Sequence, residues 1–160
     1  MQKLLFHPSY KVRTAAIIVL STQPSFIRSS DILLCLTDNS PNVRMRGIYA
    51  LNLCPNFWEE LSQIVSILIN DEHTDIRYNA CQLAAKIGNK QFIKPLIDGL
   101  EKDVRHKRIG IVGKRHLALE KITGYEIRRK LEWQEGKDPY SNRSIDALLK
   151  IATKWKSFFN

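Results

Sequence analysis

Two stretches of the chain share one arrangement of groups that could do chemistry: DNSPNVR at residues 38–44 and DEHTDIR at residues 71–77. Each sets a carboxylate, a short polar turn, a β-branched residue and then an arginine, pairing Asp38 with Arg44 and Asp71 with Arg77. A carboxylate and a guanidinium at a repeated spacing are the materials of a catalytic pair or a ligand clamp, and equally of a structural joint. The rest of the chain nominates little chemistry. His7, His73, His106 and His116 form no HExxH and no Cys/His cluster, so no metal site is expected. GIVGKRH at residues 110–116 has a Gly-Lys pair but lacks the earlier Gly and the Ser/Thr of a phosphate-binding loop. No nucleophile, base or cofactor is nominated, and the chain is expected not to be an enzyme.

The elements that must hold these residues are repeated. Aligned on the arginine, HPSYKVRTAAIIVL (7–20), DNSPNVRMRGIYAL (38–51), DEHTDIRYNACQLA (71–84) and KRHLALEKI (114–122) match, with Arg13, Arg44, Arg77 and Arg115 as markers at offsets of 31, 33 and 38. Three residues after each marker stands Ala16, Gly47, Ala80 or Ala118, and seven after it Leu20, Leu51, Ala84 or Ile122. Together with Val12, Val43 and Ile76, these positions fall at i, i+4 and i+8, one face of a helix. A second apolar helix precedes each of three units, over residues 25–36, 57–69 and 91–100. The unit is a helix hairpin that cannot bury its own apolar face, and stacking supplies the core. In such a stack Asp38 and Asp71 fall at the turn, where a carboxylate accepts from the free N–H groups of the following helix. Ser40 and Pro41 suit the N-cap and first helical position. Arg13, Asp38, Arg44, Asp71, Arg77 and Arg115 are therefore expected to form a structural ladder.

The motif D-x-x-P-x-V-R-x-x-A/G-x-x-A-L, met by Asp38, Pro41, Val43, Arg44, Gly47, Ala50 and Leu51, resembles the HEAT repeat, in particular its short HEAT-like or phycobilisome-lyase-like form. The resemblance implies an all-α fold: a right-handed, armadillo-like α-solenoid of about four hairpins at roughly 1–22, 25–54, 57–88 and 91–124. It also implies that residues 125–160 are an irregular segment followed by a capping helix, all in one structural domain. His7 stands where the first unit lacks its Asp. The closing helix is expected to bury Ile145, Leu148, Leu149, Ala152 and Trp155. HEAT-like folds also serve in DNA glycosylases, whose catalytic residues find no match here, and the family label suggests a chromophore-attachment accessory. Scaffolds of this kind bind partners along the groove lined by the second helix of each hairpin.

The fourth unit departs from the pattern. Counting by the earlier units puts its marker at Arg108, with Ile111 where a small residue belongs, so the marker is moved to Arg115 at the cost of about seven inserted residues within 102–116. Lys102, Arg105, Lys107, Arg108 and Lys114 fall in that stretch, and Arg128, Arg129 and Lys130 follow it. The net charge is +9, and residues 101–160, with 15 Lys/Arg against 8 Asp/Glu, carry most of it. These basic residues make nucleic acid or another polyanion the alternative partner. The expected partner is a protein, bound by the outward stripe one and five residues after each marker: Thr14, Ile18, Met45, Tyr49, Tyr78, Gln82 and His116. Apolar runs such as AAIIVL (15–20) fall far short of the roughly 20 residues that span a bilayer, so no membrane association is expected. Cys35, Cys54 and Cys81 are odd in number and lie among apolar neighbours, which reads as core thiols of a cytoplasmic protein.

Overall fold

The structure, a computed structural model, describes residues 1–23, 25–125 and 145–159. It is all-α, with no strand among the described residues. The helices are α1 (Tyr10–Ser21), α2 (Ser29–Leu36), α3 (Pro41–Leu53), α4 (Ser62–Leu68), α5 (Thr74–Ile87), α6 (Ile93–Arg105), α7 (Ile109–Thr123) and α8 (Ile145–Phe159). Short 3-10 turns occupy Gln2–Phe6, Pro55–Phe57 and Lys90–Phe92. Helix α1 packs on α3, α3 on α5 and α5 on α7, while α2, α4 and α6 each pack on the helix that follows them and α8 packs on α6.

The boundaries follow local chemistry. Helix α2 starts late, where the Asp31 carboxylate accepts the Arg28 N–H at 3.1 Å. Helix α4 is shortened by turns after Pro55 and begins at Ser62, whose hydroxyl donates to the Glu59 carbonyl at 2.7 Å. Helices this short gain little from their own hydrogen bonds and depend on packing. They have it: Ile32, Leu36, Val65 and Ile69 are fully buried in one continuous core that also holds Val43, Ile76, Leu96 and Leu119. Side chains of this size contribute about 1.5–3 kcal/mol each when taken wholly out of water. Pro95 sits in the first turn of α6, where no intrahelical N–H is lost, and α6 runs on past the expected residue 100 to Arg105.

Ala16, Gly47 and Ala80 are buried at the seventh positions of α1, α3 and α5. At Gly47 the approach is tightest, since a Cβ there would lie 2.9 Å from the Leu36 backbone nitrogen. The fourth unit differs from its sequence reading. Helices α1, α3, α5 and α7 start 31, 33 and 35 residues apart, so no seven-residue insertion exists. The residues assigned to it are the last turn of α6, a short turn ending in left-handed Lys107 (φ 56°), and the start of α7. Counted from its own first residue, α7 carries Val112 where the other helices carry their marker arginine. Arg115 occupies the small-residue position instead, and the space it needs comes from Gly99 on α6: a Cβ there would lie 2.2 Å from the Arg115 Cζ.

Candidate functional site

The repeated Asp and Arg meet between units. Arg13 clamps Asp38, with Nε donating to Oδ2 at 2.6 Å and Nη2 to Oδ1 at 2.7 Å. Arg44 clamps Asp71 in the same way at 2.9 and 3.0 Å. The Nη1 of each arginine turns back to carbonyls of its own turn: His7 and Pro8 for Arg13, Asp38 and Asn39 for Arg44, Asp71 and Glu72 for Arg77. Each aspartate also accepts the N–H two residues on, from Ser40 at 2.7 Å and from His73 at 2.8 Å. His7 does the same work in the first unit, its Nδ1 accepting the Ser9 N–H at 3.1 Å. Burial alone would raise the Asp38 carboxyl, but the hydrogen bonds from Arg13 and Ser40 hold it below the usual carboxylate range. Both oxygens of Asp38 and of Asp71 are thus held by donors of the fold itself.

The last rung is rebuilt. Asp103, buried in the final turns of α6, serves three arginines: Arg115 Nε donates to its Oδ2 at 2.7 Å, Arg108 Nη1 donates to its Oδ1 at 3.2 Å, and Arg77 Nε stands 3.7 Å from Oδ1. Arg115 is 1% exposed and also donates to the Ile69 and Pro95 carbonyls and to Asn70 Oδ1. Arg77 donates through Nη2 to Thr74 and keeps a buried Nε with no hydrogen-bond partner.

The outward stripe divides. Thr14, Met45 and Tyr49 line a depression of about 380 Å³ between α1 and α3, with Lys11 and Arg46. Tyr49 also opens onto a second depression of about 380 Å³, where Gln82 of α5 faces Lys114, Leu117 and Lys121 of α7. Tyr78 is half-buried, with Lys114 Nζ 4.8 Å from its ring centre. Ile18 is exposed and lines neither depression. His116 departs from the expected stripe: it is 2% exposed, because the marker register in α7 lies three residues earlier and turns His116 inward. The stripe continues instead at Leu117. Lys11, Arg46, Lys86, Leu117 and Lys121 were not singled out in the sequence; counting α7 from its true start would have reached Leu117.

The basic stretch does not act as one loop. Lys114 belongs to the groove, Arg105 pairs with Glu101 at 2.8 Å, Arg108 turns to Asp103, and only Lys102 and Lys107 of that set stand exposed without a pair described for them. Arg128, Arg129 and Lys130 lie outside the described residues.

Helix α8 buries Leu148, Ile151, Ala152 and Trp155 against α6 and α7, with Leu149 half-buried; the burial of Ile145 lies outside the described residues. Trp155 Nε1 donates to His116 Nδ1 at 3.0 Å, which places the imidazole proton on Nε2, 3.1 Å from Glu120 Oε1. Lys156 ties α8 to Glu101. Hydrogen bonds from Lys156 and Arg105 pull the Glu101 carboxyl down to about 2. A carboxyl depressed by folding stabilises the docked helix fully above its ordinary pKa and loses that effect as pH falls through the depressed value. Amide exchange in residues 148–155 is therefore expected to speed up as pH falls from about 4.5 toward 2 in the wild type, beyond the intrinsic pH dependence of exchange. In Glu101→Gln it is expected to be fast throughout, and equal protection in the two proteins at neutral pH would contradict the tether.

Burial pushes the Cys35 and Cys81 thiols up to about 12, so neither is a poised nucleophile. Among the described residues no group of His, Cys, Asp and Glu side chains is placed to hold a metal ion, and no helix is long and apolar enough to cross a membrane. No protein-family model matches the chain, and no curated protein matches it.

Proposed function

We propose that the chain is a right-handed α-solenoid of HEAT-like hairpins, without catalytic activity of its own, that works in the cytoplasm by holding a protein partner in the groove of its second helices. The observation that carries this reading is the pair of depressions that meet at Tyr49, where Thr14, Met45, Tyr49 and Gln82 come from three successive helices of the repeat. Tyr49 is 43% exposed, and an aromatic that spends little entropy on ordering is good contact material left uncovered by the fold. The commitment of the Asp and Arg side chains to the seam supports the same reading, since it leaves the repeated residues no part in chemistry.

The test is Tyr49→Ala combined with Met45→Ala, compared with wild type in affinity capture from nuclease-treated lysate. Proteins that the wild type retains are expected to be lost, about tenfold or more if the pair is a binding hot spot. Thermal stability should fall modestly, because Met45 is partly buried against the core while Tyr49 is exposed, so capture is compared at a temperature where both proteins are folded. Undiminished capture by the double variant would rule the groove out.

A further inference from the structure

We infer that the groove's partner is an acidic, extended segment of protein, with a carboxylate at about every third residue. The inference rests on the proposal that the face of α1, α3, α5 and α7 is the binding surface. The two depressions are lined by Lys11 and Arg46 in one and by Lys86, Lys114 and Lys121 in the other, and among the described residues no Asp or Glu lines either. The four helices hold only two carboxylates, Asp75 in the first turn of α5 and Glu120, which is buried beside His116. The contrast with the ladder is chemical. Arg13 and Arg44 are neutralised by aspartates, whereas groove cations rest on uncharged groups: Arg46 over Tyr49 at 5.5 Å, Lys114 over Tyr78 at 4.8 Å, and Lys86 donating to Asn52 Oδ1 at 2.7 Å. Such contacts orient a cation and leave its charge uncompensated, so the row attracts an anion.

Two features favour acidic peptide over nucleic acid. Cations already stand over the Tyr49 and Tyr78 rings, so these rings offer less to the base stacking on which single-stranded nucleic acid depends. Met45 and Leu117 line the same two depressions as the cations, and they suit apolar side chains rather than a sugar-phosphate backbone. The spacing follows from the repeat. Packed helices stand roughly 8–10 Å apart, and a chain in the extended polyproline II conformation, with three residues per turn and about 3.1 Å per residue, returns to the same face after about that distance.

The experiment is a fluorescence-anisotropy titration of the full chain with three labelled probes: a peptide bearing Asp or Glu at every third position with Leu between, the same peptide with Asn and Gln in their place, and an oligothymidylate. The acidic peptide alone is expected to bind, more weakly as salt rises. The variant Arg46→Gln/Lys114→Gln should bind it about tenfold more weakly or worse, as loss of two charge-assisted contacts implies. Equal binding of the amide peptide, tighter binding of the oligothymidylate, no binding of the acidic peptide, or indifference to the double substitution each overturns the inference. The groove reading is judged apart from this, because capture that depends on Tyr49 and Met45 survives any of those outcomes.

Discussion

Asp103→Ala is expected to cost about 3–5 kcal/mol of folding free energy, the range for removing one partner of a buried ion pair. Arg115 and Arg77, respectively 1% and 5% exposed, would keep their charges in the interior with their shared counter-charge gone. Arg108, a third exposed, can turn to water and adds less. Against a total stability of about 5–15 kcal/mol this is a large fraction, and for a chain of this length it corresponds to about 6–20 °C in melting temperature. Asp103→Asn keeps the shape and one acceptor and is expected to lose less. Thermal denaturation of both variants checks this; a melting temperature within 2 °C of wild type for Asp103→Ala would show that the carboxylate does not hold the fourth unit.

Gly99→Ala is the second large effect, and its sign is informative. In a helix without neighbours the change would stabilise by about 1 kcal/mol. Here the new Cβ would fall 2.2 Å from the Arg115 Cζ. That guanidinium cannot swing aside freely, because Asp103, Ile69, Asn70 and Pro95 all hold it. Displacing it breaks buried charge-assisted bonds worth about 1.5–3 kcal/mol apiece, so a net loss of about 2–4 kcal/mol is expected. A double-mutant cycle with Arg115→Ala isolates the cause: Gly99→Ala should cost much less once Arg115 is gone, a coupling of more than about 1 kcal/mol. Gly99→Ala that stabilises the wild-type chain would contradict the packing described.

The same pair explains where the sequence misleads. The turn–Arg seam of the first three units, with its Asp in the second and third, was legible because it recurs, and the apolar face because its period matches a helix. In the fourth unit the large and small residues exchange places: Arg115 stands where Ala16, Gly47 and Ala80 stand, and Gly99 on the preceding helix takes over the small role. Sliding the pattern along the chain until Arg115 met the marker position restored Ala118 and Ile122 by coincidence of spacing, and invented an insertion. The three-residue slip then rotated α7 by roughly one-sixth of a turn, which carried His116 onto the stripe and Leu117 off it. Asp103 was missed for a related reason, since it reaches the seam from inside α6 rather than from the turn. His7 looked like a missing aspartate and is instead a substitute acceptor for the Ser9 N–H.

The groove was half legible. Met45, Tyr49 and Gln82 follow from the period, but the cations lie beside the stripe, Arg46 one residue after Met45 and Lys86 and Lys121 four residues after Gln82 and Leu117, and become a row only when the helices stand side by side. Charge in the sequence pointed to the 102–116 stretch, whereas in the fold Arg105 and Arg108 of that stretch are paired with Glu101 and Asp103. Unpaired charge, rather than dense charge, marks a surface open to an oppositely charged contact.

The division of labour between seam and groove is tested most directly by one comparison: partner capture by Asp71→Asn and by Lys114→Glu, each at a temperature where its melting curve shows it folded. Asp71 belongs to the clamp with Arg44, and Lys114 to the groove beside Tyr78. Asp71→Asn is expected to melt lower and still retain the partner, while Lys114→Glu melts as wild type and loses it. Loss of the partner by folded Asp71→Asn with retention by Lys114→Glu would make the repeated carboxylates the site after all.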